Sequence, residues 1–379
     1  MTQGLEKETI YSSSFQEVLA RTADEDARRL RAAAFKYFTE NGFPTPRDEE
    51  WKYTNSAAIS DFGFRISDFG AGDDGSEFLS GFDYRRNGFT ALHLAFAGVR
   101  VVRIPKDTSL AEPLEFTFKA DEDGAIFPHL IVVAERGSKA TIVETYESAG
   151  TSFTNAGVQI FVEDDASLTH YRVQKESAES YHVGTTEVTL KRGSFYNATN
   201  INLGGKLARH DVHLKFTAEG GEAYVDGLYM LSGDQHSDTH SEIDHRVPNC
   251  TSHQNYKGVL NDRSRGVFNG KVFVRENAHG TDAQQSNKNL LLSNDARVDT
   301  KPQLEIFNDD VKCAHGATVG QLEDEELFYL LSRGLNGALA RNLLTYGFAE
   351  EIVNKIEIES IKKELDEAVL NRLHTSLEA

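Results

Sequence analysis

The chain has 379 residues, of which 39% are hydrophobic and 26% are charged, and its formal net charge is −19. This length can bury a sizeable core, and the composition is typical of a globular protein rather than a disordered or membrane-embedded one. The acidic balance disfavours nonspecific binding to nucleic acid or to anionic lipid, so we expect neither a nucleic-acid partner nor a membrane partner.

The N-terminal part of the chain has a helical pattern. In residues 1–60, apolar side chains recur at mostly three- and four-residue intervals between charged ones. Asn41-Gly42 predicts a helix end, and the glycine-rich residues 69–76 predict a loop. We assign residues 1–90 to an N-terminal helical region with the motif PRDEEWKYTN, and we interpret its single tryptophan, Trp51, as a structural anchor.

The middle of the chain, residues 91–320, predicts a β-rich core. Short runs of alternating apolar and polar residues replace the helical period, and glycine, asparagine and aspartate separate them. Val212, Leu214 and Phe216, for example, alternate with polar residues as in a half-buried strand. Such spacing suits a pair of β-sandwiches, a barrel or a β-helix, and it does not decide among them.

The last segment, residues 321–379, returns to a helical pattern. Four acidic residues, Glu323 to Glu326, place negative charge at a helix start, where the helix dipole favours it. Leucines then follow on one face, and a last helix carries apolar residues such as Ile361 and Leu365 at steps of four. An amphipathic tail behind a β core either packs back on that core or binds a partner.

The sequence lacks the common catalytic signatures. Gly270-Lys271 has neither the first glycine nor the Ser or Thr of a Walker A loop, so we expect no nucleotide bound by that route. Neither G-x-S-x-G nor H-E-x-x-H occurs. The start of the chain, MTQGLEKETIYSSS, has no apolar segment, and two cysteines 63 positions apart make no disulfide framework. We therefore expect a cytoplasmic protein with free thiols.

Histidines cluster in residues 236–253. Zinc or iron could use such ligands, but along an extended chain only residues of equal parity share a face. His236 and His240 share one face, whereas His245 and His253 point the other way. We interpret these histidines as structural groups that bond to nearby acids.

Cys313 and His315 form a different pattern. Residues i and i+2 of a strand share a face with Cβ atoms about 6–7 Å apart, so this thiol and imidazole could reach one metal ion. A catalytic dyad would need a third group to orient the histidine, and none is visible. A metal site would be half-filled, since zinc and iron take about four ligands. Two interpretations stay open: a buried cysteine beside a structural histidine, or a metal site that another chain completes.

Long motifs of this chain resemble the SufB/SufD family of iron–sulfur cluster assembly proteins, and its SufD branch in particular. The resemblance covers most of the chain, and the length, the DEEWKYT motif and the KCxHGAT motif are closer to SufD than to the longer SufB. The motifs that carry it are PRDEEWKYTN (46–55), DHRVPNCTSHQNYKGVL (244–260), GVFNGKVFV (266–274), TDAQQSNKNLLLS (281–293) and ARVDTKPQLEIFNDDVKCAHGATVGQLEDEELFYLLSRGL (296–335).

The resemblance implies a mainly β fold, namely a right-handed parallel β-helix flanked by N- and C-terminal α-helical regions. It implies a non-catalytic scaffold subunit that pairs with a SufB-like paralogue through the end of the β-helix. It further implies that the C-terminal helical region, residues 321–379, binds a SufC-like ABC ATPase. The nucleotide would belong to that ATPase, which agrees with the absent Walker A loop. Whether the isolated chain forms a homodimer stays open.

The resemblance also implies roles for particular residues. His315 would be a ligand or iron-handling group facing SufB across the heterodimer, with Cys313 as an accessory ligand. The bound species would be iron or a transient iron–sulfur cluster at that interface. The residues expected to bind the ATPase include large aromatic and arginine anchors; they are Phe328, Tyr329, Arg333, Leu343, Tyr346 and Phe348.

Two alternatives come from other functional classes. A homodimeric metal-binding module would use two copies of Cys313 and His315 to complete a four-ligand site on a two-fold axis. A stand-alone β-helix lyase or hydrolase would need paired acids in a groove. The acid pairs Asp164-Asp165 and Asp309-Asp310 are adjacent in sequence, so on a strand they point to opposite faces. We therefore predict a scaffold subunit and not an enzyme.

Overall fold

The computed structural model describes residues 11–60, 65–66 and 75–375. Strands dominate these ranges, and every strand pair in them is parallel. In chain order the strands are β1 (Arg65–Ile66), β2 (Gly98–Ile104), β3 (Leu114–Ala120), β4 (Gly124–Ile126), β5 (Pro128–Ala134), β6 (Lys139–Ser148), β7 (Phe153–Val162), β8 (Ser167–Gln174), β9 (Tyr181–Leu190), β10 (Phe195–Asn202), β11 (Leu207–Phe216), β12 (Glu222–Leu231), β13 (His236–His245), β14 (Thr251–Leu260), β15 (Arg265–Val274), β16 (Thr281–Leu291), β17 (Arg297–Ile306) and β18 (Val311–Gly320).

These strands form a parallel β-helix of about eight turns, with helices before and after it. From β5 onward, successive strands alternate between two sheets, so that β7, β9, β11, β13, β15 and β17 adjoin in one sheet and β6, β8, β10, β12, β14, β16 and β18 in the other. A parallel neighbour requires a crossover, and here the strand of the opposite sheet provides it. The β-helix is thus confirmed among the three architectures that the strand spacing allows.

The helices precede and follow the β-helix in the sequence. They are α1 (Ser12–Arg21), α2 (Glu25–Asn41), a 3₁₀ helix (Glu49–Trp51), α3 (Ala57–Ser60), α4 (Ser76–Leu79), α5 (Gly88–Phe96), α6 (Asp324–Ser332), α7 (Gly337–Val353) and α8 (Glu359–Thr375). Helix α2 ends at Asn41 as predicted, because Gly42 turns the chain with a φ of 68° that other residues rarely adopt. Most of the predicted loop 69–76, like residues 1–10 and 376–379, lies outside the described ranges.

Helix α5 differs from the prediction, since the sequence places residues 91–96 in the β region. All nine residues of this helix are buried, so it lacks the polar face that makes a helical period visible. A short apolar run of this kind does not distinguish a buried helix from a buried strand. Its start is fixed by Asn87, whose side chain accepts hydrogen bonds from the backbone N–H groups of Phe89 and Thr90.

The outer faces of the two sheets are covered by different helices. Helices α1, α2 and α5 pack on the larger sheet through an aromatic-rich cluster that includes Phe153 and Tyr181. Helices α7 and α8 pack on the smaller sheet, where Tyr171 and Ile201 meet Ile352 in a second apolar cluster. None of the helices in residues 11–60 and 75–375 combines the length and apolar character that a bilayer crossing requires.

The interior of the β-helix contains a buried charge network beside its apolar core. Glu144 Oε1 lies 3.2 Å from His170 Nε2, and His182 Nδ1 lies 2.8 Å from Glu176 Oε2. Burial raises the pKa of the Glu144 carboxyl, but the nearby His170, Arg172 and Tyr146 side chains together outweigh burial and lower this pKa overall. Buried charges are stable only when paired, so each member of this network depends on the others.

Buried histidines also predict how stability depends on pH. His245 is fully buried, and its Nε2 lies 2.8 Å from the Ser252 hydroxyl. Burial lowers the pKa of His245 to about 4. Because the unfolded chain binds a proton near pH 6.5 and the folded chain does not, the free energy of unfolding falls as the pH drops from about 6.5 to about 4.

We expect the free energy of unfolding of His245→Gln to fall less than that of the wild type as the pH drops from about 6.5 to about 4. The difference should reach up to about 3 kcal/mol. Urea denaturation midpoints at a series of pH values measure the effect. His279→Gln removes an exposed histidine and is the matched control. An equal acid dependence in the two variants would contradict the assignment of His245 as a buried neutral imidazole.

Candidate functional site

The β-helix is open at its C-terminal end. Within the described residues, β17 pairs only with β15 and β18 only with β16, so each is the edge strand of its sheet. The unpaired N–H and C=O groups of such an edge can pair with a further strand. Apolar side chains are exposed at the same end, with Phe307 56% and Val319 48% accessible. This end therefore has the backbone and apolar groups of a docking surface.

Cys313 and His315 both lie on the edge strand β18 and point toward the interior of the last turn. Cys313 pairs with Ala283 of β16 and packs against the same apolar core as Ala283. His315 is two residues further and pairs with Gln285, which is buried inside the β-helix. The structure thus places the thiol and the imidazole on one face, as their spacing predicts.

The two side chains differ in exposure. Cys313 is half-buried, whereas His315 is exposed at the open end. Burial raises the pKa of the Cys313 thiol, while the backbone N–H of Ala283 acts in the opposite direction. The protonated thiol is therefore favoured in the free chain. A metal ion would reverse this preference, because a coordinating thiol loses its proton.

The donors at the open end could hold a metal ion only in part. In residues 11–60 and 75–375, no group of three or more His, Cys, Asp or Glu side chains is arranged to hold a metal. Imidazole and thiolate suit iron and zinc, which take about four ligands. Cys313 and His315 therefore fit a metal ion only if further ligands come from another molecule.

The histidines of residues 236–253 are engaged within the fold. His240 Nε2 lies 3.0 Å from Asp238, and its Nδ1 lies 3.3 Å from Glu50. His236 Nε2 lies 2.8 Å from the Thr54 hydroxyl. These bonds agree with the structural interpretation of the cluster.

The motif PRDEEWKYTN lies on the outer face of the larger sheet. Trp51 is buried, and its ring contacts the Phe89 ring at 5.0 Å and the Arg209 guanidinium at 3.9 Å between centres. Arg209 is itself buried and lies 2.9 Å from both Asp211 and Asp238. Sequence reasoning missed Arg209, because its carboxylate partner Asp238 comes one turn later in the chain and no local motif joins the two.

Four of the residues expected to bind a partner lie on the surface of the tail. Helix α6 has no buried residue, and Phe328 and Tyr329 on it are 72% and 56% exposed. Arg333 follows directly after α6 and is exposed, with its guanidinium 5.1 Å from the Tyr329 ring centre. Leu343 of α7 is 49% exposed. Exposed aromatic and aliphatic side chains grouped in this way are typical of interaction surfaces.

The remaining two of the six expected residues face the body of the molecule. Tyr346 and Phe348 are partly buried and pack against the apolar cluster between α7, α8 and the smaller sheet. The Tyr346 hydroxyl lies 3.0 Å from Asp366, and the Lys257 ammonium lies 4.4 Å from the centre of the Phe348 ring. The structure thus brings four of the six residues to the surface and places these two within the packing of the tail.

Comparison with known proteins gives consistent matches. The model of the SufBD core domain of SUF system FeS cluster assembly proteins matches residues 116–348. An iron–sulfur cluster assembly SufBD family protein of Synechocystis is 39% identical over 71% of this chain and 62% of its own length. The SufD protein of Escherichia coli is 36% identical over 66% of this chain and 59% of its own length. A SufBD family protein of Mycobacterium tuberculosis is 32% identical over 74% of this chain and 72% of its own length.

The burial of the two cysteines predicts their reactivity. Cys250 is fully buried and Cys313 is half-buried, and both are free thiols. We expect one thiol of the folded protein to react with a disulfide reagent such as DTNB, and both thiols to react in denaturant. Because burial raises the pKa of Cys313, its rate should keep rising above pH 8.5, near which an ordinary thiol is half-ionised.

The matched variants are Cys313→Ala, which should abolish the reaction of the folded protein, and Cys250→Ala, which should leave it unchanged. A rate that levels off below pH 8, or equal reaction of both cysteines in the folded protein, would contradict the burial of these thiols.

Proposed function

Because the chain belongs to the SufBD family of iron–sulfur cluster assembly proteins, we propose that it is a non-catalytic scaffold subunit of a SUF assembly complex. In this proposal it pairs with a SufB-like paralogue and binds a SufC-like ABC ATPase. It contributes to iron acquisition and to assembly of the nascent cluster where it meets the paralogue. The observation that carries the proposal is the open end of the β-helix, whose edge strand presents His315 and Cys313.

The open end supports pairing with a second chain for two physical reasons. Strands β17 and β18 leave a row of backbone donors and acceptors that a further strand can satisfy. A partner there would also remove Phe307 and Val319 from water, which stabilises association. Pairing with a further β-helix would enclose the inward-facing His315 and Cys313 between the two chains.

The donor chemistry supports iron as the cargo of that enclosed space. An imidazole and a thiol supply two of about four ligands, so the paralogue would contribute the others. Iron or a transient iron–sulfur cluster is then a substrate shared between two chains. Release of the cargo would require only that the two chains move apart.

The tail supports binding of the ATPase. Phe328 and Tyr329 on α6 are large side chains with most of their surface in water, and Arg333 and Leu343 extend the exposed surface. In the proposed complex this surface binds the ATPase, which supplies the nucleotide chemistry. The chain itself catalyses no step.

The first test uses co-expression with the paralogue and the ABC ATPase of the same genome, followed by light scattering of the purified species. We expect Phe328→Ser to weaken binding of the ATPase by at least about 30-fold, the effect of losing about 2 kcal/mol at an interface hot spot. Phe307→Ser, at the open end, should instead weaken binding of the paralogue.

The two variants are controls for each other, because each replaces an exposed phenylalanine with the same residue. Loss of both partners in both variants would indicate misfolding, which circular dichroism would detect. If well-folded wild-type chain binds neither partner, the scaffold proposal is wrong. A homodimer of the isolated chain with bound metal would then favour the homodimeric metal-binding module, since a second copy can also pair at the open edge.

The second test concerns the cargo. We expect His315→Ala to leave the complex intact and to lower its iron and acid-labile sulfide content severalfold after reconstitution. Lys312→Ala, on the outward face of the same strand, is the matched control and should retain the wild-type content. Equal iron and sulfide in the His315→Ala and wild-type complexes would remove His315 from the proposed site.

A further inference from the structure

A column of polar side chains leads from the interior of the β-helix to His315. Gln254 of β14, Gln285 of β16 and His315 of β18 are successive partners in the parallel register. Paired residues of a parallel sheet point to the same face, and neighbouring strands lie about 4.8 Å apart. The two amides and the imidazole are therefore stacked at neighbouring positions on the inward face.

The amides of this column have unused hydrogen-bonding groups. Gln285 is only 3% exposed, and neither its Nε2 nor its Oε1 has a hydrogen-bond partner among the described residues. The Gln254 amide is held by the facing strand β13, because its Oε1 accepts a hydrogen bond of 2.6 Å from the Ser241 hydroxyl. A buried polar group without a partner costs about 1–3 kcal/mol, so the Gln285 amide strongly favours any bond it can make.

The facing sheet provides room for the Gln285 amide. Gly270 of β15 lies opposite, and a Cβ atom at this position would collide with the amide group of Gln285. The amide therefore occupies the space between the two sheets, one turn below His315. In the last turn, only His315 follows it in the column.

We propose that Gln285 is a positioning residue for His315. The ring N–H of His315 donates to Oε1 of Gln285, and Nε2 of Gln285 donates to Oε1 of Gln254. The second bond is compatible with the existing bond from Ser241, because a carbonyl oxygen has two lone pairs. Stacked amides at the spacing of neighbouring strands form such ladders in other parallel sheets. Both unpartnered atoms of Gln285 are then satisfied.

The consequence is a fixed tautomer of His315. The nitrogen that faces Gln285 carries the proton, so the other nitrogen presents its lone pair outward. Ligating histidines typically donate their second N–H to a carbonyl or carboxylate in this way, which orients the ring and raises its basicity. The role of the outward nitrogen as an iron ligand rests on the proposed function, whereas the bond between Gln285 and His315 does not.

The test is NMR of the full-length chain labelled with ¹⁵N-histidine, at about pH 8.5, roughly two units above the ordinary imidazole pKa. Correlations between ring carbon-bound protons and ring nitrogens show which nitrogen carries the proton, and the His315→Ala spectrum identifies the His315 signals. We expect widely separated ¹⁵N shifts for His315 in the wild type, as for a single tautomer. Gln285→Leu should bring the two shifts together, as for a mixture.

Three variants complete the design. Gln285→Glu keeps a carbonyl-type acceptor and should keep the separated shifts. Gln284→Leu changes the neighbouring, outward-facing glutamine and should have no effect. Gln254→Leu removes the proposed hydrogen bond from Gln285 to Gln254 and should move the His315 shifts in the same direction as Gln285→Leu. The proposal therefore stays testable if the Gln285→Leu variant does not fold.

Identical His315 shifts in the wild type and in Gln285→Leu would overturn the proposal, as would an equal change in Gln284→Leu. Failure of the proposed function gives a different result. If His315→Ala does not alter the iron content of the complex but Gln285→Leu mixes the tautomers, the positioning holds and the iron role fails. If iron content falls but the shifts do not respond to Gln285, the iron role holds and the positioning fails.

Discussion

The structure depends on the parallel hydrogen-bonded ladder, in which each turn satisfies the backbone groups of the next. Side chains of paired residues point to the same face, so the register decides which residues meet inside the β-helix. A slip of one residue would move every inward side chain of a strand to the outside. The last turn of such a ladder has no further turn to pair with, so its backbone groups stay unpaired. At the C-terminal end, the unpaired edges of β17 and β18 lie beside exposed apolar side chains. Helices cover the outer faces of the sheets, but the last turn is left as a surface to which another chain can bind.

The same register explains the polar columns within the interior. Glu144 and Arg172 are paired positions of neighbouring strands, and Gln254, Gln285 and His315 are paired positions of three others. On β6 and β8, opposite charges compensate each other and become a fixed part of the core. At the open end the column stops at an imidazole with no further turn to meet it. The exposed imidazole that the proposed function uses is thus the last member of a column whose other members are buried.

Much of the fold could be predicted from local sequence. The end of α2 at Gly42 and the alternation in β11 follow from backbone and burial preferences that act over a few residues. The shared face of Cys313 and His315 follows from the period of a strand. The motifs also pointed to a β-helix, whereas strand spacing alone did not. The register shows why: Tyr181, Leu207, His236, Arg265 and Arg297 are successive partners, and the intervals between them vary from 26 to 32 residues, which hides the repeat.

Features that depend on distant contacts could not be predicted. The nine residues of α5 have no polar face, because the helix is surrounded by other elements, and this surrounding is invisible in the local pattern. Phe328 and Phe348 are the same residue type in the same amphipathic tail, so the sequence does not distinguish them. Phe328 is nevertheless exposed, whereas Phe348 packs near Lys257. The difference arises because α7 and α8 bury one side against the smaller sheet, while α6 contacts α7 and has no buried residue. Only the position of the sheet decides which aromatic residue is free for a partner.

The arrangement of the tail connects the two proposed surfaces mechanically. Helices α7 and α8 are held to the smaller sheet, where Lys355 lies 2.6 Å from Asp226 and Lys257 pairs with Glu351. Helix α6 has no buried residue and is joined to β18 by residues 321–323 alone. If the ATPase binds α6 and Leu343 of α7 as proposed, it contacts one helix that is joined to β18 by three residues and another that packs on the smaller sheet. A movement of the bound ATPase would then act on β18, which carries His315, through residues 321–323, and on the smaller sheet through α7.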